Sequence, residues 1–193
     1  LMADPIKILG IVGSLRRQSY NLGAMRAAQQ LCPGRAKIEV CTLEGIPGFS
    51  QDEEQKPPQK VVELKGRIRA ADAILIATPE YNYGLPGVLK NAIDWASRPY
   101  GDSAWSGKPV AIMSAALSMG GGVRAQYQLR QSFVFLNMDA VVQPEVAIGN
   151  APQRYDAQGN LTDETSKKLI GHLLRNLVEK TRLRQQARMK AAA

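Results

Sequence analysis

The sequence predicts an α/β domain with a doubly wound, five-stranded parallel sheet and helices on both faces. Strand-like and helix-like periods alternate five times along the chain. Three of the strand segments are continuously apolar, as strands covered on both faces must be. No internal repeat, linker or low-complexity stretch divides residues 1–193, so one domain with its own core is expected.

Ile6 to Val12 is a short apolar run closed by Gly13, the pattern of a buried strand. From Asn21 to Cys32, the residues Leu22, Met25, Ala28, Leu31 and Cys32 recur at helical spacing until Pro33-Gly34 stops them. Lys37 to Leu43 alternates as a second strand, and residues 45–59, rich in Gly, Pro, Gln and acids, read as a loop. Pro58 suits the first turn of a helix whose apolar stripe is Val61, Val62, Leu64, Ile68 and Ala71. Ala73 to Ala77 is the strongest buried strand. Pro86 opens a helix carried by Val88, Leu89, Ala92, Ile93 and Ala96, and Pro109 to Ser114 forms the fourth strand. Beyond a glycine cluster, Val123 to Leu136 is helical, with Leu129, Phe133 and Leu136 turned inward. Ala140 to Val142 begins a fifth, less regular strand. Leu169, Ile170, Leu173, Leu174 and Leu177 define the last helix, with residues 185–193 expected as a frayed tail.

The net charge of +8 points toward a polyanion until its distribution is read. Residues 167–190 hold Lys167, Lys168, Arg175, Lys180, Arg182, Arg184, Arg188 and Lys190 against Glu179 alone, so nearly all the excess lies in the last helix. No aromatic residue interleaves it, as base stacking would require, and a solvated helix face without a nucleic-acid role is the expectation. No apolar run approaches the roughly 18 residues that would cross a bilayer, and the first residues lack a signal-peptide pattern. A cytoplasmic protein with no membrane association is therefore expected.

Cys32 and Cys41 make no CxxC pair, and His172 is the only histidine. Neither a metal centre nor a histidine-based catalytic triad is expected, and no protein residue is singled out as catalytic.

In an open doubly wound sheet, ligands bind beyond the carboxyl ends of the strands, where the strand order switches. The loops after strands one, three and four are therefore the ones to read. After the first come Ser14, Leu15, Arg16, Ser19, Tyr20 and Asn21, running into a helix. Hydroxyls, a cation and a helix N-terminus are what a phosphate needs. The dinucleotide fingerprint is absent, because two residues, not one, separate Gly10 from Gly13 and no third glycine follows. The Walker pattern is absent too, since Gly101 and Gly107-Lys108 are wrongly spaced and Pro109 replaces the metal-binding hydroxyl. After the third strand, Pro79, Glu80, Tyr81, Asn82 and Tyr83 make a stiff, flat-faced loop suited to a planar heterocycle. After the fourth, Ser114, Ala115 and Ala116 lead to Gly120, Gly121 and Gly122, where the backbone approaches something closely or moves. A phosphate at one end and a planar ring at the other describe a mononucleotide, and FMN fits best.

Three segments carry a family resemblance: Gly13-Ser14-Leu15-Arg16 through Ser19-Tyr20-Asn21, then Pro79-Glu80-Tyr81-Asn82-Tyr83, then Leu89-Lys90-Asn91-Ala92-Ile93-Asp94-Trp95. Together they closely resemble the flavodoxin-like NADPH-dependent FMN reductases, in the branch described as quinone or chromate reductases. The likeness continues through Gly107-Lys108-Pro109-Val110, the run from Arg124 to Gln131, and Pro144-Glu145. It implies a flavodoxin-like fold, with Ser14, Arg16, Ser19 and Asn21 on the FMN phosphate. It places Glu80, Tyr81, Asn82 and Tyr83 on the isoalloxazine and ribityl groups, and the 114–122 loop on the other side of the ring. Relatives tend to carry serine where this chain has Ala115 and Ala116, so backbone contacts alone carry over there, and Gln128 stands where histidine is usual.

The resemblance implies an oxidoreductase that takes a hydride from NADPH (or NADH) and passes electrons through FMN to a small acceptor. Quinones, azo or nitro compounds and chromate are the acceptors it implies, and a homodimer or homotetramer is the expected assembly. A non-enzymatic flavodoxin-type carrier and a flavin-dependent regulatory protein are the alternatives.

Overall fold

A computed structural model describes residues 5–192. In chain order the elements are β1 (Ile6–Val12), α1 (Tyr20–Gln30), β2 (Ala36–Thr42), α2 (Gln59–Ala70), β3 (Ala73–Thr78) and α3 (Gly87–Ala96). They continue with β4 (Pro109–Ala115), α4 (Val123–Phe135), β5 (Asp139–Ala140), β6 (Val146–Ile148) and α5 (Glu164–Ala192). The sheet runs β2-β1-β3-β4-β5, with every pair parallel. The fifth position is shared: β5 pairs with Pro109 and Val110 at the start of β4, and β6 with Met113 to Ala115 at its end. Pro144 lies between these two short strands and has no N–H to give to a ladder.

Strand alternation sends side chains to two cores. Ile6, Ile8 and Val12 of β1, with Leu75 and Ala77 of β3, pack beneath α1 and α5 against Met25, Ala28, Leu173 and Leu177. Leu9, Ile11, Ile74 and Ile76 pack on the other face against Leu64, Ile68, Leu89, Ile93, Leu129 and Phe133 of α2, α3 and α4. Burial on both faces explains why β3 and β4 read as unbroken apolar runs. Val62, expected in the α2 stripe, is instead about half exposed, because the inward face of that short helix is filled by Val61, Leu64, Lys65 and Ile68. A Cβ on Gly10 would lie 2.6 Å from the Met25 Sδ and 2.9 Å from the Ile38 Cγ2, so glycine here lets α1 seat close to the sheet.

The frayed tail expected after Arg184 is replaced by the last turns of α5, which continues to Ala192. Lys180 Nζ donates to Asp139 Oδ1 at 2.6 Å, and Gln185 Nε2 to Asp72 Oδ1 at 3.1 Å, tying this helix to the starts of the strands. The residues that follow are mostly Arg, Gln, Ala and Lys, strong helix formers that need no apolar stripe. No helix among the described residues is long and apolar enough to cross a membrane.

Successive connections run from β1 to β2 on one side, then return to β3 and β4 on the other. The direction switches between β1 and β3, so the loops after β1, β3 and β4 open onto one edge.

Candidate active site

At that edge lies a cleft of about 720 Å³, a size ordinary for a small-molecule site. Its walls are Ser14, Arg16, Ser19, Tyr20 and Asn21; Pro79, Glu80, Tyr81, Asn82 and Tyr83; and Ala115, Ala116, Leu117, Ser118 and Arg124.

The first wall is an anion cradle. Gly13 N–H donates to the Ala77 carbonyl at 2.8 Å, fixing the loop to β3 before it turns. Buried Ser19 caps α1, its Oγ accepting from Asn21 N–H at 3.2 Å, while Ser14 Oγ accepts from Arg16 N–H at 3.3 Å. The first turn of α1 carries no acid, so the helix dipole, the hydroxyls and the exposed Arg16 all favour a negative guest. The Arg16 guanidinium sits 5.1 Å from the centroid of the Tyr20 ring. Behind that ring Tyr155 packs at 4.9 Å, and burial pushes its phenol well above the usual range.

Asn21 has a different job from the phosphate contact expected of it. Its Nδ2 donates to the Ala115 carbonyl and its Oδ1 accepts from the Ala115 N–H, each at 2.9 Å. This amide clamp joins the start of α1 to the end of β4, holding the first and third walls at fixed separation.

The second wall is a tight hairpin. Tyr81 and Gly84 exchange backbone hydrogen bonds at 3.1 and 2.9 Å around Asn82 and Tyr83, whose φ values are 49° and 64°. Two positive φ values define a type I′ turn. For a bulky residue such as Tyr83 this costs roughly 1–2 kcal/mol. Three contacts hold it. The Arg124 guanidinium lies 3.9 Å over the Tyr83 ring, Gln128 Oε1 accepts from Leu85 N–H at 2.7 Å, and Gln128 fills the space where a Cβ on Gly84 would go. Glu80 lines the cleft, but its carboxylate is turned to α4. It accepts from the N–H groups of Arg124 and Ala125 at 3.0 and 3.3 Å, and from Arg124 Nη1 at 3.0 Å. Gly122 precedes that helix and offers no side-chain cap, so Glu80 supplies the negative charge its N-terminus wants.

The third wall includes Ala115 and Ala116, as expected of the loop after β4, but their backbone groups are already engaged within the protein. Both Ala115 backbone groups are taken by Asn21, and those of Ala116 pair with the Ile148 carbonyl and the Ala151 N–H at 3.0 and 3.1 Å. The amides left over belong to Leu117 and Ser118, whose N–H groups meet no acceptor among the described residues.

Leu15, Ser114 and Gly121, also expected at the site, lie off the wall. Leu15 is half exposed beside the cradle. Ser114 is buried, its Oγ donating to the Gly121 carbonyl at 2.6 Å and accepting from Gln126 Nε2 at 2.7 Å. Gly121, at φ 61°, packs its Cα against the backbone of Ala147 to Gly149, so the glycine cluster serves a close backbone crossing behind the wall. Leu117 and Ser118 are the further members of the expected 114–122 loop that line the cleft, and Arg124 lines it without having been expected there. One signal could have found Arg124: a cation in the first turn of a helix opposes the dipole and calls for an acid nearby.

The residues present fit FMN: an anion cradle at one end, unpaired amides and flat aromatic faces at the other, and room for both. No group of three or more His, Cys, Asp or Glu able to hold a metal occurs among the described residues. A parallel sheet with this strand order and a cleft at its switch point defines a flavodoxin-like protein. Residues 6–153 match the NADPH-dependent FMN reductase family, and the chain belongs to it. An NAD(P)H-dependent FMN reductase of Pseudomonas aeruginosa is 49% identical over 177 residues, covering 91% of this chain and 95% of its own. A quinone reductase of Pseudomonas putida is 41% identical over 165 residues, covering 85% and 89%. Among solved structures, a flavoenzyme NAD(P)H:(acceptor) oxidoreductase from Paracoccus denitrificans superposes with a TM-score of 0.83 at 34% identity, covering 92% of this chain and 97% of that one. The chain is thus an oxidoreductase whose cofactors are FMN and NAD(P)H.

Proposed function

We propose that the cleft binds FMN with its phosphate on Ser14, Arg16, Ser19 and the α1 N-terminus, and that the enzyme reduces quinones at the open side of the ring. The observation that carries this reading is the pairing, in one cleft, of an acid-free helix N-terminus with the unpaired amides of Leu117 and Ser118. Hydride acceptance and electron release are chemistry that FMN supplies when bound. The chain's own part is to bind, orient and exclude. The Ser14–Asn21 loop anchors the phosphate. The Leu117 and Ser118 amides offer donors to an oxygen that gains negative charge. Tyr81, Asn82 and Tyr83 form the flat wall and leave its outer edge open, Tyr83 being 73% exposed. Leu117, 69% exposed on the third wall, adds an apolar surface at the open side and so favours a flat, uncharged acceptor. Azo and nitro compounds share that shape with quinones, and chromate would enter as a small oxyanion. The reading extends to a cytoplasmic homodimer or homotetramer, which would cover Val134 and Phe135 on the outer side of α4.

FMN titration of the apoprotein tests the site. A charge-assisted phosphate contact is worth about 1.5–3 kcal/mol, so Arg16→Ala should raise the FMN Kd roughly 10- to 150-fold. An unchanged Kd would remove Arg16 from the phosphate and, with it, this orientation of the cofactor.

A further inference from the structure

We propose that the foot of the sheet, at the edge opposite the cleft, carries a binding site for one phosphate-sized oxyanion. The segments leading into β3 and β4 and the outer half of α5 enclose a cavity of about 150 Å³ there. At roughly 30 Å³ per water it holds about five waters, enough for one tetrahedral oxyanion and too little for a nucleotide. Arg69, Lys108, Arg184 and Arg188 line it, and Asp72 is the acid among its described lining residues.

The cations converge beyond what the nearby acids balance. Arg69 is engaged by Asp102, its Nη2 donating to Oδ1 at 2.6 Å. Asp72 accepts from Lys7 N–H at 2.8 Å and from Gln185 Nε2 at 3.1 Å. Arg184 and Arg188 stand about one turn apart on α5, and both reach the same point. Arg184 Nη2 fills the space where a Cβ on Gly107 would go, and Arg188 Nη2 lies 3.6 Å from that position. Gly107, at φ 70°, leaves the space open. Like charges so placed repel one another unless a counter-charge joins them. Asp139 does little for Arg184, since Lys180 holds its Oδ1 at 2.6 Å and Arg184 Nη1 stands 3.8 Å from Oδ2. Arg184 Nε is buried with no hydrogen-bond partner among the described residues, and Arg188 makes no ion pair among them. Lys108 Nζ donates to the carbonyls of Arg69 and Ala71, which keeps one of its three hydrogens for a guest. Burial pulls this ammonium below its usual range, Asp72 opposing and Arg188 adding to the pull. An oxyanion between the two guanidinium groups and Lys108 satisfies all three and ties the last turns of α5 to the start of β4.

Calorimetric titration of inorganic phosphate into the FMN-loaded protein tests this, because the cofactor already fills the cleft. Wild type should bind one phosphate per chain saturably. Arg184→Gln and Arg188→Gln, which keep helix propensity, should each raise the phosphate Kd about 10-fold. Arg182→Gln removes the same charge from the same helix but lies outside the cavity, and should leave that Kd unchanged. At ten times the wild-type Kd, phosphate should raise the wild-type Tm by about 3–6 °C. The same concentration should raise that of Arg188→Gln by about 1–2 °C. Phenyl phosphate separates two sources of the anion. Weaker binding than inorganic phosphate assigns the free ion, and equal or tighter binding assigns the phosphate end of a larger molecule. Absence of saturable phosphate binding to wild type overturns the proposal, as does an equal loss in Arg182→Gln, which would reduce the effect to diffuse charge.

Discussion

Asn21→Ala is expected to cost roughly 2–6 kcal/mol of stability, because it leaves the buried Ala115 N–H and C=O without partners at about 1–3 kcal/mol each. That is a large share of the about 5–15 kcal/mol that holds a typical domain folded. Thermal unfolding of the apoprotein reads it directly, as a Tm lowered by more than about 5 °C. FMN affinity should fall with it, since the α1 cradle and the 115–118 wall lose their fixed spacing. Asn21→Asp separates the two effects. It keeps an acceptor for the Ala115 N–H, but sets a carboxylate against the Ala115 carbonyl and at the anion end of the cleft. Its loss of FMN should therefore exceed its loss of stability, relative to Asn21→Ala. A Tm within a degree of wild type for Asn21→Ala would refute the clamp.

Gly121→Val should be comparably damaging. A Cβ there would lie 2.6 Å from the Ala147 carbonyl carbon and 2.8 Å from the amide nitrogens of Ile148 and Gly149, at a φ of 61°. Backbone strain and overpacking cost about 1–3 kcal/mol each, so the sum is about 2–6 kcal/mol. The Gly121 carbonyl is also the acceptor for Ser114 Oγ, which joins through Gln126 Nε2 to the Val146 carbonyl, so the loop would carry the damage into β6. Gly101→Val is the control: φ there is 86°, but nothing lies within 4 Å of its Cβ position, so only the strain remains. Denaturant midpoints should rank wild type, Gly101→Val and Gly121→Val in falling order. Equal midpoints for the two variants would show that the close crossing at Ala147 to Gly149 carries no energy.

Much of the fold was legible because periodicity reports burial. Ala73 to Ala77 reads as a two-faced strand since both faces are covered, and β1 and β4 follow the same logic. The site's three loops were legible from the strand ends and from residue types: hydroxyls and Arg16 before a helix, tyrosines between prolines, and a glycine run. Polar partnerships across the chain were not. Asn21 beside a phosphate-type loop reads as a ligand contact, and only the folded register brings it to Ala115, 94 residues away. Glu80 likewise reads as a ring contact until α4 is seen to start against it. The end of α5 was missed for the opposite reason, since a helix held by Lys180, Gln185 and helix propensity shows no apolar period to detect.

Anaerobic mixing of NADPH with the FMN-loaded protein, followed by the visible flavin absorbance, tests the central claim most directly. The account predicts rapid bleaching, and recovery of the colour when a quinone is added. A bound flavin that dithionite bleaches but NADPH leaves coloured would contradict it.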